Sequence, residues 1–160
     1  MPEKEKPFEL RDDWSKPHLV FIGRWNPLHR GHIEIMRKRM EANPELPILV
    51  LVRATSYDRY SPLERAAMCR IWMQHEKIVG TVLIIPDIKG VYYGRGVGYE
   101  VEMVEVDEDI KGISATDIRS KIDAGDDSWK EMVAPGIEKM VEQLEEMLGE
   151  RIQKVRGPEA

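Results

Sequence analysis

The stretch His18-Leu-Val-Phe-Ile-Gly-Arg-Trp-Asn-Pro-Leu-His-Arg-Gly-His32 contains a strand, a turn and the start of a helix in immediate succession. His18 to Gly23 is a short apolar run closed by glycine, the pattern of a buried strand. Asn26-Pro27 is a turn signal. A helix is predicted from about Gly31 to Ala42, with Ile33, Ile35, Met36 and Met40 as its apolar positions and Pro44 and Pro47 beyond its end. The alternation then repeats. Pro47 to Val52 reads as a second strand, Arg53 to Ser61 as a polar loop, and Pro62 to about His75 as a helix begun by proline, whose missing N–H is not needed in a first turn. Thr81 to Ile85, closed by Pro86, reads as a third strand. Strands that are continuous apolar runs, alternating with helices, predict a parallel sheet buried on both faces between helices.

Farther along, Val91 to Tyr93 and Tyr99 to Val106 are shorter strand candidates, and Ser114 or Thr116 is placed to cap a helix running to about Asp123. A last helix is predicted from about Ser128 to Lys154, interrupted by Pro135-Gly136. Its Ile137, Met140, Val141, Leu144, Met147, Leu148, Ile152 and Val155 recur at three- and four-residue steps, an amphipathic pattern. Toward the N-terminus, residues 1–17 are polar and carry Pro2, Pro7 and Pro17; they read as an arm, with Phe8, Leu10 and Trp14 able to dock, and residues 18–160 as one domain. The fold class is therefore α/β, a Rossmann-like parallel sheet between helices with a C-terminal amphipathic helix.

Composition bounds the function. A chain of 160 residues can bury a core without staples. A net charge of −5 argues against a general nucleic-acid binder. The single cysteine, Cys69, excludes an internal disulfide framework and fits a reducing cytoplasm. No apolar run reaches the roughly 18 residues of a membrane span, and the charged, proline-bearing segment Met1 to Lys6 does not read as a signal peptide.

In an alternating α/β fold, ligands bind beyond the carboxyl ends of the strands, which directs attention to the loop after the first strand. There His29 and His32 lie three residues apart at a helix start, so they share a face. Gly31 between them lets a ligand approach the backbone, and the helix N-terminus adds free N–H donors. Arg24, Arg30, Arg37, Lys38 and Arg39 crowd this stretch against one acid, Glu34. A basic pocket in an acidic protein suits a small polyanion such as a nucleoside triphosphate; the plain alternative is a surface histidine pair on a basic helix face. A second segment, Ile113-Ser-Ala-Thr-Asp-Ile-Arg119, sets two hydroxyls and a guanidinium at another helix start. Ser114 and Thr116 can donate to phosphate and Arg119 can grip it with a planar fork, although simple helix capping would also explain the hydroxyls.

The two segments, in this order and roughly 80 residues apart, resemble the HxGH nucleotidyltransferase family, the second matching its I-S-x-T-x-I-R. Pro62-Leu-Glu-Arg65 is similar to that family's helix start after the second strand. Val91-Tyr-Tyr-Gly94, Gly98-Tyr-Glu-Val101 and Trp129 to Pro135 are similar to runs in the archaeal-type NMN adenylyltransferases, so the resemblance spans about residues 18–142. It implies transfer of AMP from ATP to a small phosphate-bearing acceptor, with NMN giving NAD as the first expectation, and Mg²⁺ accompanying ATP. It assigns His29, His32 and Arg119 to catalysis, and Gly23, Arg24, Trp25, Asn26, Gly31, Ser114 and Thr116 to nucleotide binding. No protein metal ligands are implied, because Mg²⁺ would be held by phosphates and water. Relatives are commonly homo-oligomers. This chain departs from the archaeal pattern in the segment from Ile85 to Tyr93, which is shorter and lacks the Asn and Trp that read nicotinamide, and at Arg95, which stands where Asn is expected. A cytidylyltransferase, an adenylyltransferase for another acceptor and a non-catalytic nucleotide-binding module are the alternatives.

Of the remaining candidates, Arg53, Arg59 and Arg95 could each meet a phosphate. Gly94 to Gly98 lacks the spacing of a dinucleotide fingerprint. Cys69 reads as a small core residue rather than a zinc ligand with His75, His29 and His32, and the acidic run Glu100 to Asp109 as a solvated strand and loop rather than a metal site.

Overall fold

A computed structural model describes residues 11–56, 58–96, 98–104 and 112–156. Three parallel strands, β1 (Leu19–Gly23), β2 (Ile48–Ala54) and β3 (Gly80–Pro86), form a sheet in the order β1-β2-β3. Parallel neighbours need long crossovers, supplied by helices α1 (Arg30–Ala42) and α2 (Pro62–Glu76). Beyond the sheet come α3 (Ala115–Asp123), a 3-10 turn (Asp127–Glu131) and α4 (Glu138–Arg156). The result is an α/β fold in which helices flank a three-stranded parallel sheet.

Register explains the placement of the core. Phe21 pairs with Val50 and Val50 with Val82, and this row is buried. It packs in one cluster with Ile33 and Met36 of α1 and with Ala66, Met68, Cys69, Trp72 and Met73 of α2. The next row, Ile22, Leu51 and Leu83, points to the other face because strand side chains alternate. There Val20 is 49% exposed, and Ile22 and Leu83 are each 40% exposed. The expectation of burial on both faces thus holds fully for one face only. Apolar strand composition cannot distinguish the two cases.

Helix ends follow their caps. Ser61 and Glu64 form a reciprocal capping box at the start of α2, with Pro62 in its first turn. Lys77 closes α2 in the left-handed region, with a φ of 57°. Ser114, not Thr116, caps α3, accepting a bond from the Asp117 N–H.

Three expectations change. The last helix, expected from about Ser128 with an interruption at Pro135-Gly136, breaks there, where Gly136 takes a φ of 93°, but its first piece is a 3-10 turn and only α4 is α-helical. Residues 91–93 and 99–104 are not strands. Tyr92, Tyr93, Tyr99, Val101 and Met103 are all exposed, and no strand lies beside them among the described residues, so the alternation makes no ladder; residues 105 and 106 lie outside the described residues. The arm is tied down in part. Trp14 Nε1 donates to Thr81 Oγ1, whose hydroxyl donates to Asp12, and His18 Nε2 meets the same carboxylate at 2.7 Å. Phe8 and Leu10 lie outside the described residues. Among the described residues no helix is long and apolar enough to cross a membrane.

Candidate functional site

The loop from Gly23 to His29 carries the chain from the carboxyl end of β1 into α1. Trp25 adopts a φ of 55°, a region that non-glycine residues rarely enter. Its indole is buried, its Nε1 donates to the Leu51 carbonyl at 3.0 Å, and its edge meets the His32 ring at 4.9 Å. Gly23 makes room for this ring, since a Cβ there would come within 2.8 Å of the indole. Trp25 is therefore a wedge beneath the histidines rather than an open aromatic face.

His29 is the N-cap of α1, and with His32 it forms a capping box. His29 Nδ1 accepts from the Gly31 N–H at 3.0 Å, and His32 Nδ1 accepts from the His29 N–H at 3.1 Å. A ring nitrogen that accepts cannot carry the proton, so in both rings the proton sits on Nε2. The rings stack at 3.6 Å between centroids and 23° between planes. Burial pushes His29 down to about 4; burial first, and then the neighbouring His29, holds His32 well below the ordinary imidazole range. The pair is thus neutral at physiological pH and offers two Nε2–H donors at a helix N-terminus. Gly31 is required by close approach: a Cβ would come 2.8 Å from His29 Cε1.

Segment 132–134 braces this loop from outside. The Arg30 N–H donates to the Met132 carbonyl, the Ala134 N–H donates to the Leu28 carbonyl, and His29 and Val133 form an antiparallel bridge. Segment 113–119 arrives from another side, with the Ile113 carbonyl 3.5 Å from where a Gly31 Cβ would lie. Arg119 Nη1 donates to the Asn26 carbonyl at 2.5 Å and Nη2 to Thr116 Oγ1 at 3.2 Å. The fold therefore brings His29, His32, Gly31, Asn26, Thr116 and Arg119 to one rim. Arg24 lies on the same loop with its side chain 52% exposed, 3.5 Å from Asp58. Asn26, by contrast, is buried. Its amide donates to Asp58 Oδ1 at 3.4 Å and its Oδ1 accepts from the Tyr60 N–H at 3.1 Å.

Two of the other arginine candidates are already partnered, while Arg95 is exposed. Arg53 donates twice to Asp87, and Arg59 forks onto Glu145 and also meets Asp123. The Glu145 hydrogen bond is the main cause that raises Arg59 above its ordinary value. Cys69 is buried, and burial pushes its thiol up to about 12, as suits a core residue. Sequence reasoning missed Asp58 as part of the site. It also assigned no role to Arg65, whose only signal was its place in Pro62-Leu-Glu-Arg65.

Neither the protein-family models nor the curated proteins compared with this chain give a match.

Proposed function

We propose that this protein is a nucleotidyltransferase of the HxGH type, with a Rossmann-like core, that transfers AMP from ATP to a small phosphate-bearing acceptor and releases pyrophosphate. NMN, giving NAD, is the first acceptor. One observation carries the reading: two neutral histidines share a helix N-terminus with their Nε2–H donors defined, and Arg119 is held over the same loop. In such a reaction an acceptor phosphate oxygen attacks the α-phosphorus, the bond from that phosphorus to the bridging oxygen breaks, and pyrophosphate leaves with the electron pair. The acceptor is already an anion, so the chain needs to supply position and charge stabilisation rather than a strong base. His29 and His32 would donate to the oxygens on which charge accumulates, and Arg119 would grip the outer phosphates. ATP would enter as its Mg²⁺ complex. Asp58, which touches Asn26 and Arg24 of the loop, is enclosed and faces Arg65 at 3.2 Å; the metal would be held by phosphates and water.

A second reading, a nucleotide-binding module without catalysis, is favoured by one feature. Arg53 and Arg59, which could have met an acceptor phosphate, are engaged by carboxylates. Pyrophosphate release and product formation, measured with ATP and with CTP across NMN, nicotinate mononucleotide, phosphopantetheine and FMN, separate the two. NAD formation from NMN and ATP supports the first reading. Turnover with a different acceptor moves the branch but keeps the reaction class. ATP binding with no release in any combination favours the module.

A further inference from the structure

Arg65 is wholly buried, yet nothing in the proposed chemistry uses it. Its Nε donates to the Tyr60 carbonyl at 3.0 Å, and its Nη1 donates to the carbonyls of Arg24 at 2.7 Å and Arg53 at 2.8 Å. Its Nη2 lies 3.2 Å from Asp58 Oδ2, a side chain only 4% exposed. A buried ion pair is poor value as a stabiliser, because desolvation offsets the attraction. Its geometry is more informative. Arg24 directly follows β1, Arg53 is near the end of β2, and Tyr60 precedes α2. One planar fork therefore ties two strand ends to the loop between β2 and α2, which a lysine's single ammonium cannot do.

The pair reaches the candidate site through Asn26. Asp58 Oδ1 accepts from Asn26 Nδ2, and the Tyr60 N–H donates to Asn26 Oδ1. With both ends of its side chain held by residues 58 and 60, Asn26 presents its main-chain carbonyl to Arg119. Polar contacts thus run without a gap from Arg65 to Asp58, Asn26 and Arg119.

We propose that Arg65 and Asp58 are positioning residues that hold Asn26 so that its carbonyl fixes the direction of the Arg119 guanidinium. The purpose of that positioning, gripping a triphosphate, rests on the nucleotidyltransferase reading; the positioning itself does not. The test uses the full ¹⁵N-labelled chain, without ligand, as wild type, Asp58→Asn and Arg65→Lys. The Arg119 Nε–Hε resonance is assigned by its loss in Arg119→Lys, and thermal melts check folding. Asp58→Asn is nearly isosteric, so it carries the test should Arg65→Lys not fold. The expected result is that the Arg119 resonance moves in each folded variant. Calorimetric titration with Mg-ATP and with inorganic tripolyphosphate should then show affinity about tenfold weaker in Asp58→Asn, and Asp58→Asn with Arg119→Lys should bind no more weakly than Arg119→Lys alone. An Arg119 resonance unchanged in folded Asp58→Asn, or fully additive losses in the double variant, overturns the proposal. A resonance that moves while the wild type binds neither ligand leaves the positioning standing and removes the nucleotidyltransferase reading.

Discussion

Under the nucleotidyltransferase reading proposed above, His29 has two separable duties, and substitutions can divide them. Its Nδ1 caps α1 by accepting the Gly31 N–H, while its Nε2–H is the donor assigned to the triphosphate. The structure shows a residue 6% exposed, stacked on His32 and capping a helix. Removing a cap costs about 0.5–2 kcal/mol, and losing the ring stack adds about 0.5–1.5 kcal/mol. His29→Ala should therefore lower stability by about 1–3.5 kcal/mol in urea denaturation. Asparagine is a good N-cap, and its Oδ1 can accept the bond that Nδ1 accepts, but its short side chain places no donor where Nε2 stands. His29→Asn should recover the capping part of that loss, about 0.5–2 kcal/mol. Turnover, read as pyrophosphate release, should fall by roughly 10²–10³ in both variants, the usual effect of removing one preorganised donor. Wild-type turnover in His29→Asn would remove the donor role. Equal stability of His29→Ala and His29→Asn would show that the capping box carries no weight in solution.

Further outcomes follow from the same geometry. Because the folded His29 sits near 4 against an ordinary value of 6.5, the unfolded chain takes up a proton that the folded chain refuses as pH falls between those values. Stability should drop by about 2–3 kcal/mol across that window from this group, with no such loss above pH 6.5; a pH series of melts in which His29→Asn keeps the wild-type slope would refute this. Activity should show no decline attributable to histidine deprotonation between pH 6 and 8, since the pair acts neutral; a fall with an imidazole midpoint in kcat/KM would contradict the assigned tautomers. Arg119→Lys retains charge but loses the fork, and should weaken ATP binding by about 1.5–3 kcal/mol in a calorimetric titration. Gly31→Ala places a methyl 2.8 Å from His29 Cε1, so the ring must shift, and turnover should fall even where the melt shows a folded protein.

Much of the architecture was legible in the residues themselves. Short continuous apolar runs at His18 to Gly23, Pro47 to Val52 and Thr81 to Ile85, bounded by glycine and proline, mark the three strands, and the helices between them stop at their caps and prolines. The histidine spacing and the second segment ending in Arg119 also placed the candidate site at the rim beyond β1, because helix periodicity is local information.

Other features depend on contacts between residues distant in the chain, which no local pattern encodes. Val20 and Ile22 read as core, yet they are partly exposed because coverage of a sheet face depends on where later elements pack. Tyr99 to Val104 alternates as a strand would but has no strand partner among the described residues. Arg53 and Arg59 read as open cations, and the chain folds Asp87 and Glu145 onto them. Trp25 and Asn26 read as groups presented to a nucleotide; in the fold both side chains are buried. The tautomers of His29 and His32 follow from which backbone N–H each ring meets, and burial is the main cause that keeps both uncharged. Residue types and spacing determined which groups gather at the rim; only the tertiary structure decided which of them are presented and which are enclosed, because burial and hydrogen-bond partners are properties of the packed chain.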